Sequence, residues 1–380
     1  MKHITPLIPL LALGALAPGY SASATAATTN AAPARAKIEV CFVLDTTSSM
    51  GGLIEGAKQK IWSIANEMVS AKPTPDLRLG LVAYRDRSDA YITKHFDLTN
   101  DIDAVYGALQ QLRAEGGGDT PESVNQALHE AATRMSWSQD RQTLKIIFLV
   151  GDSPPHMDYP NDIKYPAVCQ EAVQHDLLIN TVQCGVNGET TTIWKQIASL
   201  SEGSFAAIPQ SGGMVAMATP MDADLAALNR RLGGTLVAYG DAGARKDVLA
   251  KQAASETAPA SVAAERLRFN AASGVAVQGD GELLDALASG KAKLGTLKPD
   301  QLPEELRGLD SAALKAELDK KQKERTELQQ RIQKLNQERE GYIAQERKRL
   351  AASGKVDSFD EQVAATVRAQ AAKKGIEYGK

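Results

Sequence analysis

Three polar residues at alternate positions, Asp45, Thr47 and Ser49, follow directly on an apolar run. Such a run with a polar turn behind it is typical of a buried strand and the loop that leaves it. Two further oxygen-bearing residues occupy matching places downstream: Thr120 comes after three glycines, and Asp152 comes after another apolar run. Carboxylate and hydroxyl oxygens are the ligands that hard divalent cations such as Mg²⁺ prefer. The five residues therefore predict one divalent-cation site assembled from three loops.

The elements that would position these residues alternate along the chain from residue 37 onward. The predicted strands are 37–45, 77–85, 92–97, 144–151, 178–184 and 204–209, and the predicted helices are 53–70, 101–112, 121–135, 167–175, 191–200 and 221–232. This alternation predicts an α/β fold, a doubly wound and mainly parallel sheet covered by helices on both faces. The third strand follows the second too closely for a crossover, so we predict an antiparallel pair at the sheet edge.

Ligands of an open parallel sheet bind outside the carboxyl ends of its strands. Asp45 ends the first strand, Asp152 follows the neighbouring central strand, and Thr120 lies in the loop that enters the third helix. All three loops should therefore reach one rim of the sheet. Because hydroxyls are neutral ligands, Mg²⁺ (or Mn²⁺) held there would keep positive charge. An acidic group of a protein partner could then complete its shell, which favours cation-dependent binding over a closed structural site.

Three neighbours are candidates for a supporting role. Asp86 comes at the end of the second strand and Asp119 precedes Thr120, so both could accept hydrogen bonds from water on the ion. His156 lies four residues after Asp152 and could face a bound partner, although a rigidly placed surface histidine is the alternative.

Each piece of the site also has a structural interpretation. Ser48 or Ser49 could cap the following helix, and the glycines at 116–118 could be a flexible turn. The coincidence of all three loops at matching strand ends favours the metal site.

These motifs resemble the von Willebrand factor A domain over about residues 37–235, and the three loops resemble its metal-ion-dependent adhesion site (MIDAS). The family pattern Asp-x-Ser-x-Ser occurs here as Asp-Thr-Thr-Ser-Ser at 45–49, where Thr47 keeps the hydroxyl of the Ser that it replaces. The resemblance implies a Rossmann-like fold. It also implies that Thr47, Ser49 and Thr120 bind the metal directly while Asp45 and Asp152 act through water.

Two other functions compete with binding. A first-strand Asp followed by hydroxyls is also similar to phosphotransferases of the haloacid dehalogenase type, but these need a second carboxylate where Thr47 stands. The missing carboxylate argues against an enzyme. A structural envelope protein, in which the long C-terminal helix does the work, is the other alternative.

The N-terminus has the features of a secretory signal peptide at 1–26. A basic start is followed by a short apolar stretch and by small residues that suit cleavage. We therefore predict a periplasmic or secreted bacterial protein without a transmembrane segment after cleavage, with an uncleaved anchor as the alternative. The formal net charge of −3 argues against nucleic acid as a partner.

The remainder of the chain divides into a linker at 27–36, a helical linker region at 236–303, a long helix at 304–350 and a helical tail at 351–380. Apolar residues on a seven-residue grid in the long helix predict an imperfect coiled coil. It could form a dimer, with a helical hairpin packed on a neighbour or a solvated single helix as the alternatives. The tail could fold back on that helix. A disulfide between Cys169 and Cys184 is an open alternative to free thiols, since an exported protein meets an oxidising compartment.

Overall fold

The computed structural model describes residues 35–213, 217–354 and 358–378. The predicted signal peptide at 1–26 and all but the last two residues of the linker at 27–36 lie outside the described residues. Within the described ranges, no helix is both long enough and apolar enough to cross a membrane. Export to the periplasm stays a prediction.

A six-stranded sheet forms the centre of the molecule. Its strands are β1 (Lys37–Asp45), β2 (Asp76–Tyr84), β3 (Thr93–Thr99), β4 (Leu144–Gly151), β5 (Leu177–Cys184) and β6 (Phe205–Ile208). They lie in the order β3-β2-β1-β4-β5-β6. All neighbours are parallel except β2 and β3, which pair antiparallel at the edge. The predicted doubly wound, mainly parallel sheet with an antiparallel edge is confirmed.

Helices cover the sheet and continue beyond it. They are α1 (Gly51–Met68), α2 (Ile102–Gln111), α3 (Val124–Thr133), α4 (Tyr165–Gln174), α5 (Gly188–Leu200), α6 (Asp222–Gly233), α7 (Ala242–Thr257), α8 (Ala260–Ser273), α9 (Leu283–Ala288), α10 (Ser311–Ala352) and α11 (Ser358–Ala372). Apolar side chains of α1 and α2 pack on one face of the sheet, and those of α3, α4 and α5 pack on the other.

The two-sided core explains why β1 is apolar along nearly its whole length. Val40 and Phe42 belong to the cluster under α1, whereas Cys41 and Val43 belong to the cluster under α3 and α4. Successive side chains of a strand point to opposite faces, so a strand covered on both faces needs an uninterrupted apolar run. That run ends at Asp45, where the strand leaves the core.

The pairing register brings three strand ends to one rim. Asp45 is opposite Tyr84 of β2, and Leu44 is opposite Val150 of β4. The loops after β1, β2 and β4 therefore start side by side.

Helices after residue 235 share the core of the sheet. Val262 and Phe269 of α8 join the cluster under α1. Phe359 and Val367 of α11 do the same, and α11 contacts α1 and β6. The expectation that the tail folds back on the long helix is corrected, since the apolar face of α11 is buried against α1 instead. The predicted domain boundaries stay a prediction.

The long helix α10 has 42 residues. Leu314 and Leu318 pack with α9 and the segment after it, and Leu328 and Ile332 pack with α6 and α8. The residues predicted to form a coiled-coil seam thus contact other helices of this chain. The long helix is confirmed, and the coiled coil is not.

All three cysteines are buried free thiols. Burial raises the pKa of Cys169 to about 12, which keeps its thiol protonated and unreactive.

Candidate metal centre

The loop after β1 turns its side-chain oxygens inward. The amide and the hydroxyl of Thr47 both donate to Asp45 Oδ1, at 2.8 and 2.7 Å. Thr47 Oγ1 lies 3.4 Å from Ser49 Oγ. Asp45 and Thr47 are buried and Ser49 is exposed, so the three predicted ligands form a graded set running from the core to solvent.

The hydroxyls of this loop do not cap the helix that follows it. The residue before the short 3-10 turn Ser48–Met50 is Thr47, and its side chain makes no capping hydrogen bond. The residue before α1 is Met50. Ser48 Oγ instead donates to the carbonyl of Gly116, at 2.8 Å. The interpretation of Ser48 or Ser49 as an N-cap is therefore wrong.

Asp152 leaves β4 beside Asp45 because the residue before it is glycine. A Cβ atom at Gly151 would lie 2.4 Å from the Tyr84 hydroxyl oxygen and 2.9 Å from Asp45 Cβ. Such separations are far inside van der Waals contact, so no other residue fits there without a shift. Asp152 Oδ2 accepts a hydrogen bond of 2.6 Å from Gln210 Nε2. Sequence reasoning did not identify Gln210, which fixes the orientation of this carboxylate.

The third loop reaches the site through its glycines. Gly117 has a φ of +83°, and a Cβ there would lie 3.3 Å from Thr47 Cβ. Both oxygens of Asp89 accept from the Gly117 amide, at 3.1 Å. Thr120 is exposed three residues further on. In the part of the chain that the structure describes, no hydrogen bond joins Thr120 to the other four predicted ligands. Its place in the ligand set stays a prediction.

Glu122 is a member of the site that sequence reasoning missed. The helix predicted to begin at residue 121 begins at Val124, because the Glu122 amide donates to the Pro154 carbonyl across the rim, at 2.9 Å. This bridge draws the Glu122 side chain into the interior, where it is 3% exposed. The available signal was a carboxylate two residues after Thr120, which could have been read as a further oxygen ligand.

Within the described part of the chain, the buried carboxylates of Asp45 and Glu122 have no positively charged partner. Burial, together with the charges of Asp45 and its acidic neighbours, raises the pKa of Glu122 to about 9. Burial, opposed in part by the hydrogen bonds from Thr47, raises the pKa of Asp45 to about 7. Among the residues that the structure describes, no hydrogen bond of normal geometry reaches Asp45 Oδ2, Glu122 Oε2 or the Tyr84 hydroxyl.

Buried anionic groups without partners are costly unless a cation compensates them. The donor set fits a hard divalent cation, because it consists of carboxylate and hydroxyl oxygens. A bound ion would favour the ionised forms of Asp45 and Glu122 and so oppose the burial that raises their pKa values.

The three supporting candidates gather at one place on the same rim. Asp86, Asp119 and His156 offer ligand atoms that all lie within 4.8 Å of one another. Asp86 and His156 are buried and Asp119 is exposed. The role of Asp86 and Asp119 as acceptors for water on the ion stays a prediction, and so does the role of His156 in facing a bound partner.

The sheet and its rim are similar in sequence to a known protein family. Residues 39–210 match the family model described as von Willebrand factor A domain. The match covers the sheet and its rim, which is less than half of the chain.

A related protein outside the solved structures is an ariadne-like RING finger protein of Acanthamoeba polyphaga mimivirus. It is 26% identical over 122 residues, which is 32% of this chain and 12% of the relative. The chain thus spans about an eighth of that protein's length.

Two solved structures illustrate the similarity to von Willebrand factor A domains. The domain of SpRpn10 has 16% identity and a TM-score of 0.36, covering 46% of this chain and 89% of that chain. Proximal thread matrix protein 1 from the mussel byssus has 16% identity and a TM-score of 0.36, covering 46% of this chain and 42% of that chain. Another structure of the byssus protein, 17% identical, has a zinc-occupied MIDAS motif.

Proposed function

We propose that this chain is a binding protein whose von Willebrand factor A domain engages a protein partner through a divalent cation, Mg²⁺ or Mn²⁺. Five residues would hold the ion: Asp45, Thr47, Ser49, Thr120 and Asp152. The observation that carries the proposal is the buried carboxylate pair of Asp45 and Glu122, which has no basic partner among the described residues and lies beside Thr47 and Gly117.

The two sides of the site differ in charge. The inner side holds Asp45 and Glu122, which would supply negative charge to the ion from behind. The outer side holds Ser49 and Thr120, which are exposed and neutral. An ion between them would keep positive charge toward solvent, so an acidic group of a partner is the complementary ligand. The chemistry that the ion supplies is attraction and orientation of that group.

The helical tail gives this domain a rigid base. Arg339 of α10 is bonded to Asp222 of α6 at 2.8 Å and to Glu265 of α8 at 2.5 Å. We propose a scaffold role for α10 and α11 within this chain. Assembly into a homo-oligomer through the tail, and export to the periplasm, stay predictions.

A chelator-dependent capture experiment tests the binding function. The purified chain is immobilised and exposed to bacterial envelope extract in Mg²⁺, in EDTA, and in EDTA followed by excess Mg²⁺. We expect one protein to be retained in Mg²⁺, lost in EDTA and recovered in excess Mg²⁺. The Asp45→Asn variant, which keeps an oxygen for the Thr47 hydrogen bonds, should not retain it. The His95→Gln variant, on the exposed edge strand, should behave as the wild type.

Retention that is equal in Mg²⁺ and EDTA, or equal in the wild type and Asp45→Asn, would contradict the proposal. Turnover of a generic phosphate ester that disappears in Asp45→Asn would instead establish an enzyme.

A further inference from the structure

Asp86, Asp119 and His156, which carry atoms able to bind a metal, lie together at the rim of the sheet. They are near the proposed Mg²⁺ site, here called the hydroxyl-lined site because Thr47, Ser49 and Thr120 belong to it. His156 Nε2 is 3.5 Å from Asp86 Oδ2 and 3.8 Å from Asp119 Oδ2. The three residues come from the loops after β4, after β2 and before α3. Zinc–ligand distances of about 2.0–2.1 Å place neighbouring ligands of a tetrahedron roughly 3.3–3.5 Å apart. The distance from His156 to Asp86 thus matches the edge of such a tetrahedron, and the distance from His156 to Asp119 is slightly longer than that edge.

The histidine is fixed from its far side. Its Nδ1 is 2.8 Å from Asp158 Oδ1. Its ring stacks on Tyr159, with centroids 4.0 Å apart and planes 13° apart. A carboxylate on one imidazole nitrogen sets the tautomer and directs the lone pair of the other nitrogen outward, which is the usual arrangement around a metal-bound histidine.

Asp86 is oriented in the same way. Its Oδ1 accepts from Ser123 Oγ at 2.8 Å, and its Oδ2 accepts from the Tyr159 hydroxyl at 2.7 Å. The nearby Arg87 forms an ion pair of 2.5 Å with Asp162. Each carboxylate oxygen of Asp86 keeps a further lone pair, and the one on Oδ2 faces His156.

The buried nitrogen at the centre of this group has no hydrogen-bond partner. The His156 side chain is 6% exposed, and within the described residues its Nε2 lacks a partner of normal geometry. With Nδ1 donating to Asp158, Nε2 is an acceptor that faces two carboxylates, which are acceptors as well. Three converging acceptors with no donor among them repel one another unless a proton or a metal cation lies between them.

We propose that Asp86, Asp119 and His156 form a second cation site, separate from the hydroxyl-lined one, that takes a borderline transition-metal ion such as Zn²⁺. An imidazole nitrogen with two carboxylates suits Zn²⁺, whereas Mg²⁺ binds oxygen and avoids imidazole. Asp119 is 66% exposed, so the ion can enter from solvent and water can take the fourth position. The ion would link three loops of the rim.

Cobalt and zinc titrations of the metal-free full chain test this site. Co²⁺ reports on its coordination geometry, because a tetrahedral Co²⁺ site absorbs visible light much more strongly than an octahedral one. We expect such absorption to saturate at about one Co²⁺ per chain and to be displaced by Zn²⁺ but not by excess Mg²⁺. The Asp45→Asn and His95→Gln variants should retain it, which separates this site from the proposed Mg²⁺ site and from surface histidines.

Three variants remove or weaken the site. His156→Gln should abolish the absorption. Asp119→Asn, at an exposed position that does not support the fold, should weaken binding at least tenfold. Asp158→Asn acts only through His156 and should weaken it about 10- to 100-fold. Circular dichroism checks that each variant is folded.

The alternative is a protonated His156 in an ion pair with Asp86. In that case the wild type shows no tetrahedral Co²⁺ spectrum. Absorption that persists unchanged in both His156→Gln and Asp119→Asn would equally overturn the proposal.

Discussion

The candidate metal centre and the C-terminal helical layer, which comprises α6 to α11, both bury carboxylates, but only the helical layer supplies the opposite charge. In the helical layer, Glu282 is 3% exposed and both of its oxygens bind the Arg325 guanidinium, at 2.8 and 2.9 Å. At the rim of the sheet, Glu122 is buried to the same degree, and its neighbours are acidic.

This difference in charge compensation distinguishes a carboxylate that stabilises helix packing from one that is available to a ligand. A buried ion pair needs good geometry and additional hydrogen bonds to offset desolvation. Glu282 meets this requirement, because it also accepts from the amides of Val237 and Asp285, at 2.9 and 2.8 Å. Glu122 and Asp45 do not meet it within the described residues. Because no positively charged side chain compensates these two carboxylates, we expect their ligand to be a cation.

The largest effect on stability should come from breaking the paired region. Arg325→Met leaves Glu282 and Asp285 buried without compensation, so we expect the free energy of unfolding to fall by about 3–5 kcal/mol. Urea unfolding of the full chain measures it. The matched control is Arg349→Met, because Arg349 is exposed and paired with Glu346 on the same helix; this change should leave the free energy of unfolding nearly unchanged, since solvent screens an exposed pair. Equal losses in the two variants would contradict the distinction.

In the unpaired region around Asp45 and Glu122, the stability of the fold should depend on pH. The pKa of Asp45 is raised from 3.8 to about 7 and that of Glu122 from 4.5 to about 9. The folded state therefore binds more protons than the unfolded state between about pH 4 and 9. In metal-free buffer, the contribution of these two groups to stability is complete below pH 4 and is lost as the pH rises through 7 and 9.

Two matched variants sharpen this prediction at pH 9 in metal-free buffer. Glu122→Gln should raise the midpoint of urea unfolding, since it removes an uncompensated buried charge. Glu282→Gln should lower the midpoint, since it removes one partner of Arg325. Saturating Mg²⁺ should stabilise the wild type, by about 2.7 kcal/mol at roughly 100 times Kd. Midpoints that shift in the same direction for both variants would contradict the account.

The smallest effect should come from the link between two loops of the metal centre. Ser48→Ala removes the hydrogen bond from Ser48 Oγ to the Gly116 carbonyl. We expect a loss of about 1 kcal/mol in the free energy of unfolding, measured by urea unfolding. No change would indicate that the glycine loop is held in place without this bond.

The sequence was sufficient to predict the sheet and the three loops that reach its rim. Apolar runs of strand length and helical periodicity predicted the element order, and the common rim of the loops followed from where parallel strands end. Asp45, Thr47 and Ser49 were recognisable because they are close in sequence. The rim position of Asp152 followed from the run before it.

Long-range contacts were not predictable from local patterns. Glu122 was read as the first turn of a helix, because the sequence does not show that its amide pairs with Pro154. The apolar face of α11 was visible in the sequence, but its partner was not, since α1 and α10 offer similar apolar residues. Arg325 and Arg339 interrupt the apolar grid of α10 because they form ion pairs with Glu282 and Glu265 of the same chain.

The most direct test of the account is a calorimetric titration of the metal-free full chain with Mg²⁺, carried out in parallel on Asp45→Asn and Thr120→Ala. We expect about one Mg²⁺ per wild-type chain and none in either variant. His95→Gln, on the exposed edge strand, serves as the control that should still bind Mg²⁺. Absence of Mg²⁺ and Mn²⁺ binding in the folded wild type, or equal binding in Asp45→Asn, would contradict the claim that the unpaired carboxylates receive a cation.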